Sequence, residues 1–347
     1  MTEQIVARLD EFVAIQRELE SILQTLVLND STIIDALAQM LGAMQQMQAR
    51  SEKVQAGLSE SHTLLASEVR GLALAVTRLD DERRLPPVVL SSDGYAKSDP
   101  EVALLQYLQP FLEDAIALDV GANVGDVSAR LLDAGYRVFA FEPYEPTFRR
   151  LSDRLRGRER LRAFQLAVGA SDGERQLHVA ADFSGNGSVD SSLYHTLVAH
   201  PTGEHIRLTG TVPVQVRSLE SLRRAREIPD RIGVLKIDTE GGDVEVLQGA
   251  GELDVSVIVA EFWDAAHEFG KAGHGSLERT VSAVMGKGFF WYIVIYRPDD
   301  GGGISYYLNR PTTVPKSWGN AVFFRDHGLF AKALRWCEAA LSPTFFR

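Results

Sequence analysis

Apolar residues recur at two different periods along this chain, and the period changes near residue 86. In the first stretch they fall at helical spacing, at Ile5, Leu9, Phe12, Leu19, Ile22 and Leu26. From Ile33 an alternating four-three step runs unbroken through Leu37, Met40, Met44, Met47, Ser51, Val54, Leu58, Ser61, Leu65, Glu68, Leu72, Ala75 and Leu79. That is a heptad seam of about six repeats, mostly apolar, and it predicts a long α-helical coiled coil over residues 1–85. Asn29-Asp30-Ser31-Thr32 reads as a cap or stutter between two registers. At 1.5 Å per residue the arm would span roughly 115 Å. A seam of this length exposed to water favours homo-oligomerisation through residues 1–85; a helical hairpin folded at Asn29 is the alternative. Leu85-Pro86-Pro87 ends the arm, because proline cannot continue a helix.

Beyond the prolines, short apolar runs alternate with amphipathic segments, the signature of a parallel α/β sheet. Glu101 to Leu112 has helical spacing and leads in. Strands are expected at Ala117–Val120, Arg137–Glu142, Leu161–Val168, Gly233–Asp238 and Val255–Glu261, with helices between them. Gln176–Ala180 and Thr211–Val216 alternate as flanking or paired strands. Phe289–Tyr296, Ile304–Leu308 and Val322–Phe324 complete the sheet, the last pieces antiparallel. Residues 86–328 thus form one α/β domain. Residues 329–347 form a C-terminal amphipathic helix, expected to dock on the domain, with membrane or partner contact as the alternative.

Composition narrows the function. A net charge of -11 argues against a nucleic-acid partner, which would want a basic patch. A single cysteine, Cys337, leaves no internal disulfide framework and suits a reducing compartment. The first 17 residues lack the basic-then-apolar order of a secretory signal, and no run approaches eighteen apolar residues. A cytoplasmic location is expected, peripheral at a membrane if the tail takes that role.

The first strand of the domain runs into Asp119-Val120-Gly121-Ala122-Asn123-Val124-Gly125-Asp126, a strand-to-helix turn with two glycines. The dinucleotide fingerprint wants Gly-x-Gly-x-x-Gly, and here its middle position is Asn123, which disfavours a nicotinamide oxidoreductase. Glu142 closes the next strand, where a carboxylate can accept two ribose hydroxyls. Ligands of an open parallel sheet sit beyond the carboxyl ends of its strands. Asp119, Glu142, Asp238, Glu240 and Glu261 all fall at or just past such ends.

Taken with Phe141-Glu142-Pro143, Ala167-Val168-Gly169-Ala170-Ser171-Asp172-Gly173 and Leu235-Lys236-Ile237-Asp238-Thr239-Glu240-Gly241, the chain resembles the FkbM family of S-adenosylmethionine-dependent O-methyltransferases. Val244 to Ala250 and Val259-Ala260-Glu261 extend the match, which covers roughly residues 115 to 265. Gly242 and Asp243 depart from it, standing where the family more often has Ala and Glu. The resemblance implies a class I methyltransferase fold, α/β and Rossmann-like, with a seven-stranded mostly parallel sheet. It implies S-adenosyl-L-methionine as cofactor and methylation of a hydroxyl, with sugars of glycans or of glycosylated small molecules as the expected acceptors. Asp119, Gly121, Ala122, Asn123 and Gly125 then serve the methionine end, Glu142 the ribose, and Ala167 and Val168 the adenine. Asp238 and Glu240 stand where the methyl group should be, with Glu261 as a third carboxylate. Such acids can hold a divalent cation, although the sequence does not require one. His195, in the polar loop from Gly185, is a further candidate base by its intrinsic pKa, or simply a solvated loop histidine. His267 and His274 are weaker candidates of the same kind. Trp263 and Trp318 either stack on a sugar or pack in the core. The arm would gather several active sites or dock to glycan-assembly proteins. The competing reading is a catalytically lapsed scaffold held by the arm; the intact loop and Glu142 argue against it.

Overall fold

The computed structural model describes residues 99–182, 191–198, 206–272, 275–299, 301 and 303–344. The coiled-coil reading of residues 1–85, the 185–190 part of the polar loop, His274 and the last three residues lie outside them. In chain order the elements are α1 (Pro100–Leu108), β1 (Ile116–Val120), α2 (Asp126–Asp133), β2 (Arg137–Phe141), α3 (Glu145–Arg154) and β3 (Leu161–Phe164). Then come β4 (Ala167–Val168), β5 (Gly173–Asp182), β6 (Ile206–Arg217), α4 (Leu219–Arg224), β7 (Arg231–Ile237), α5 (Asp243–Gln248) and β8 (Asp254–Trp263). The last are α6 (Leu277–Met285), β9 (Trp291–Pro298), β10 (Ser305–Leu308), β11 (Ser317–Phe324), α7 (His327–Ala340) and β12 (Ser342–Pro343).

The main sheet has the order β12-β10-β9-β11-β8-β7-β1-β2-β3. β3, β2, β1, β7 and β8 pair in parallel, and β11 runs antiparallel between β8 and β9. Their near-continuous Val, Ile, Leu and Phe content reflects burial on both faces, since helices cover each side of a parallel sheet. Strand order reverses between β1 and β7, so the crevice of the fold opens at the carboxyl ends of those two strands. The class I methyltransferase, Rossmann-like architecture is present.

Three details correct the sequence reading. The sheet has nine strands rather than seven, because β10 and β12 add to the β9 edge. The run Leu161–Val168 is not one strand: β3 ends at Phe164, and Ala167 and Val168 turn away to pair with Val216 and Arg217. They join β5 and β6 in a separate three-stranded sheet, in which those two form a long antiparallel pair. β11 is also longer than the expected Val322–Phe324, running from Ser317, and it lies inside the sheet between β8 and β9.

The C-terminal helix α7 packs on the domain, but it runs from His327 to Ala340 rather than over 329–347, and Ser342 and Pro343 form β12. Asp326 caps it by accepting from the Leu329 N–H, and Phe330, Leu334, Trp336 and Cys337 are buried. Each such apolar side chain contributes about 2 kcal/mol by leaving water. No helix among the described residues is long and apolar enough to cross a membrane.

Candidate active site

The turn after β1 is fixed by its backbone. Gly121 has φ +80°, and a Cβ built on it would lie 1.8 Å from the carbonyl oxygen of Asp238. The Gly121 and Ala122 N–H groups both donate to the Phe141 carbonyl, at 3.0 and 2.9 Å, which folds the turn over the end of β2. Asn123, at φ +48°, then aims its own N–H at Glu142 Oε2, 3.1 Å away, while the Tyr144 N–H donates to Glu142 Oε1 at 2.8 Å. Each carboxylate oxygen is thereby oriented and retains a lone pair for another donor. Gly125, at φ +83°, starts α2 and packs against Leu151 and Leu155 of α3. The first turn of α2 has no side-chain cap, so its N–H groups can receive an anionic group.

Burial pushes Glu142 from the usual 4.5 up to about 7; its two backbone hydrogen bonds oppose this, and the Asp119 charge adds to it. A carboxyl raised on folding favours the ligand-free domain most below pH 4.5 and stops doing so as pH rises through about 7. Chemical denaturation of the wild-type protein should therefore lose up to about 3 kcal/mol over that window relative to Glu142→Gln. A Glu142→Gln profile parallel to wild type would show that Glu142 titrates normally.

Asp119 is fully buried and stands behind the turn rather than on the cleft wall. Its Oδ2 accepts from Ser128 Oγ at 2.6 Å, and its Oδ1 lies 3.5 Å from Lys236 Nζ. Lys236 also pairs with Asp238 at 3.1 Å. Burial pulls the Lys236 ammonium down, and the charges of Asp238 and Asp119 overcome that and hold its pKa above the ordinary lysine value. Lys236 thus ties the turn to the second group of acids. Those acids converge: one carboxylate oxygen from each of Asp238, Glu240 and Glu261 lies within 4.8 Å of the others. Burial first, then mutual repulsion with Asp238 and its neighbours, raises Glu240 and Glu261 well above the carboxylate range.

Asp243, which the sequence marks only as a departure, proves to be the brace of this corner. Its Oδ1 accepts from the Thr239 N–H (3.0 Å) and hydroxyl (2.6 Å), and its Oδ2 from the Glu261 N–H at 2.9 Å. Burial brings it up to about 6 against those hydrogen bonds. The shorter aspartate side chain suits a role facing inward, at 2% exposure.

A short strap, residues 191–198, crosses the cleft. Ser192 Oγ donates to Asn123 Oδ1 at 3.1 Å, Thr196 Oγ1 donates to the Glu240 carbonyl at 2.8 Å, and His195 stacks edge-on to Tyr144. His195 Nδ1 accepts from the Ala180 N–H at 3.1 Å, so the neutral ring carries its proton on Nε2 and presents a donor there. His267 sits apart, 3.1 Å from Asp299. Trp318 lies under the Arg297 guanidinium, whereas Trp263 joins Phe269 and Tyr194 in an aromatic group beside Glu240 and Glu261.

The cleft offers about 1020 Å³ of space, part of it open to solvent. Its wall brings together Gly121, Ala122, Asn123, Glu142, Ala167, Val168, His195, Asp238 and Glu240 of the residues the sequence singles out. Asp119, Gly125 and Glu261 support it from outside that wall. Residues 119–284 match the family model described as the methyltransferase FkbM domain. The chain carries an FkbM methyltransferase domain. Its cofactor is S-adenosylmethionine. Among curated proteins, Methyltransferase 1 of Beauveria bassiana is 25% identical over 205 residues, which span 55% of this chain and 77% of the relative. Among solved structures, the FkbM methyltransferase of Methylobacillus flagellatus KT is 14% identical with TM-score 0.33, over 75% of this chain and 60% of its own. Precorrin-6y C5,15-methyltransferase of Geobacter metallireducens GS-15 is 12% identical with the same TM-score, over 71% and 96%. The cleft of the FkbM domain fits the cofactor on its own terms: a doubly oriented carboxylate for a diol, an uncapped helix start, and an apolar wall at Phe141, Ala167 and Leu177.

Proposed function

We propose that this FkbM domain methylates a hydroxyl group, on a sugar of a glycan or of a glycosylated small molecule. The observation that carries the reading is the convergence of Asp238, Glu240 and Glu261 next to the turn that ends at Asn123. S-adenosylmethionine supplies a methyl group already activated on a sulfonium, so the chain has to align the acceptor and take its proton. Gly121, Ala122 and Asn123 with the start of α2 hold the amino-acid end of the cofactor. Glu142 accepts the ribose hydroxyls, and Ala167 and Val168 lie against the adenine. A sugar hydroxyl is a weak nucleophile at neutral pH, and a carboxylate of raised basicity is better matched to removing its proton than an ordinary one. Glu240 and Glu261 are raised in this way; Asp238, held by Lys236, orients the hydroxyl. As the acceptor oxygen bonds to the methyl carbon and the carbon–sulfur bond breaks, one of these carboxylates receives the hydroxyl proton. The aromatic group of Tyr194, Phe269 and Trp263 offers flat apolar faces of the kind that pack on sugar rings.

Calorimetric titration tests the reading in two steps. S-adenosylmethionine and S-adenosylhomocysteine should bind the purified protein while NAD does not, and Glu142→Ala should weaken both by more than about tenfold. Bound enzyme is then offered nucleotide sugars and glycans, with transfer followed by the mass of one added methyl group. Asp238→Asn should lower kcat on the accepted sugar by about a hundredfold or more while leaving S-adenosylhomocysteine affinity within a few-fold. Transfer to amines but to no hydroxyl would sink the oxygen-acceptor reading, and absence of binding by either sulfur ligand would sink the placement of the cofactor.

A further inference from the structure

The acid corner has more negative charge than the protein around it balances. Asp238, Glu240, Asp243 and Glu261 all act electrostatically on one another, and Lys236 acts on Asp119, Asp238, Glu240 and Glu261. Lys236 is committed to Asp119 and Asp238, and Asp243 is satisfied by Thr239 and the Glu261 backbone. Glu240 and Glu261 are left facing each other and Asp238. Their oxygens, within 4.8 Å of one another, have the spacing of ligands around one ion. Oxygens on opposite sides of such an ion are separated by about 4.2 Å for magnesium and about 4.8 Å for calcium, twice the metal–oxygen distance.

A second observation is independent of that cluster. β7 and β8 are in register at Ile237 and Ala260, so the residues that follow, Asp238 and Glu261, stand side by side. Across the next ladder Glu261 is the direct partner of Asn320 on β11. Directly paired residues project from the same face of a sheet, with side chains close enough to interact. Asn320 is only 7% exposed, and its Oδ1 is buried without a hydrogen-bond donor among the described residues. Glu261 Oε2 is buried and without a donor in the same way. These cross-strand partners thus each carry an oxygen removed from water and lacking a donor, which is costly unless a positive centre satisfies it.

We propose that Asp238, Glu240 and Glu261 bind one hard divalent cation, with the side-chain carbonyl of Asn320 as a fourth oxygen. All four donors are oxygens, which selects magnesium, manganese or calcium over the softer metals held by His and Cys. The ion offsets the surplus carboxylate charge, and because Asp238 and Glu240 line the cleft it would orient an acceptor's hydroxyls there. That orienting role rests on the acceptor reading above; the binding of the ion does not.

Manganese is the probe, because its free form is counted directly by electron paramagnetic resonance. The full-length protein, stripped with EDTA, is titrated with Mn²⁺ in the presence and absence of S-adenosylhomocysteine. One saturable site per chain is expected, and excess Mg²⁺ should displace the probe. Glu261→Gln and Asp238→Asn should each weaken the site about tenfold or more, and Asn320→Leu several-fold, in line with losses on removing metal ligands and their supports. Glu240→Gln, on a loop, provides the same test should a strand variant fail to fold, and calorimetry with S-adenosylhomocysteine certifies each variant's fold. A wild-type protein that binds S-adenosylhomocysteine but no Mn²⁺ would overturn the cation site and leave the methyltransferase reading intact. Such a result would mean that Glu261 is protonated and donates to Asn320. Mn²⁺ binding unchanged in the folded variants would overturn it equally.

Discussion

Gly121→Ala unfolds the cofactor corner: the variant should lose about 4 kcal/mol or more of stability and all measurable binding of S-adenosylhomocysteine. Two costs add. Alanine at φ +80° loses about 1 kcal/mol in backbone conformation alone. The larger cost is the contact, since the new methyl would sit 1.8 Å from a backbone carbonyl that cannot swing aside. Either the turn or the end of β7 must shift by more than an ångström. A shift there strains the Gly121 and Ala122 bonds to Phe141, the Asp238 N–H bond to Val120, and the Asn123 bond to Glu142. Gly157 supplies the control, with φ +82° and nothing within 4 Å of an added methyl. Urea denaturation of Gly121→Ala and Gly157→Ala separates the two costs. Equal losses in the two would mean that the close approach of turn and strand has no energetic weight.

Lys236→Met should cost about 3–5 kcal/mol at pH 8, the range for removing one partner of a buried ionic network. Lys236 is 6% exposed, and its ammonium lies between Asp119 and Asp238. Removing it leaves those carboxylates without their cation and takes away the charge that opposes the raised Glu240 and Glu261, which then hold their protons to higher pH. The sign of the pH dependence follows. In the wild type, a lysine whose pKa is raised on folding stays charged from pH 5 to pH 8, so its contribution is constant there. In the variant the acids carry raised pKa values, so folding is favoured at low pH and weakened as pH climbs. The gap between wild type and Lys236→Met should therefore widen from pH 5 to pH 8. A gap that stays constant over that range would show that the lysine acts through packing and not through its charge.

Much of the fold is legible in the chain because burial on two faces writes itself as continuous apolar runs. The five parallel strands and the acids at strand ends follow from that and from the glycine turn. Long-range pairing is what the residues do not reveal. Nothing local says that Ala167 and Val168 leave the sheet for β6, or that β11 slips between β8 and β9. Asn320 escapes for the same reason: it sits in an apolar strand without a motif, and only its register with Glu261 gives it meaning. Lys236 was within reach, since residues two apart on a strand share a face and Asp238 is its second neighbour. Asp119 falls at the expected strand end, yet its side chain turns inward to Ser128 and Lys236, which spacing alone cannot show.

The two strands added beyond β9 change how the sheet meets other chains. An exposed edge with a long row of unpaired N–H and C=O groups is a template for intermolecular pairing. Here one border is β12, two residues long and ending in Pro343, which has no N–H to donate. The opposite border, β3, has only four residues, and Arg162 lies there with its guanidinium over Phe164 and a bond to the Glu227 carbonyl. Short borders, one proline-capped and the other charged, give an incoming strand little to zip onto. The same large sheet that builds the cleft is thereby guarded against growing into a fibril.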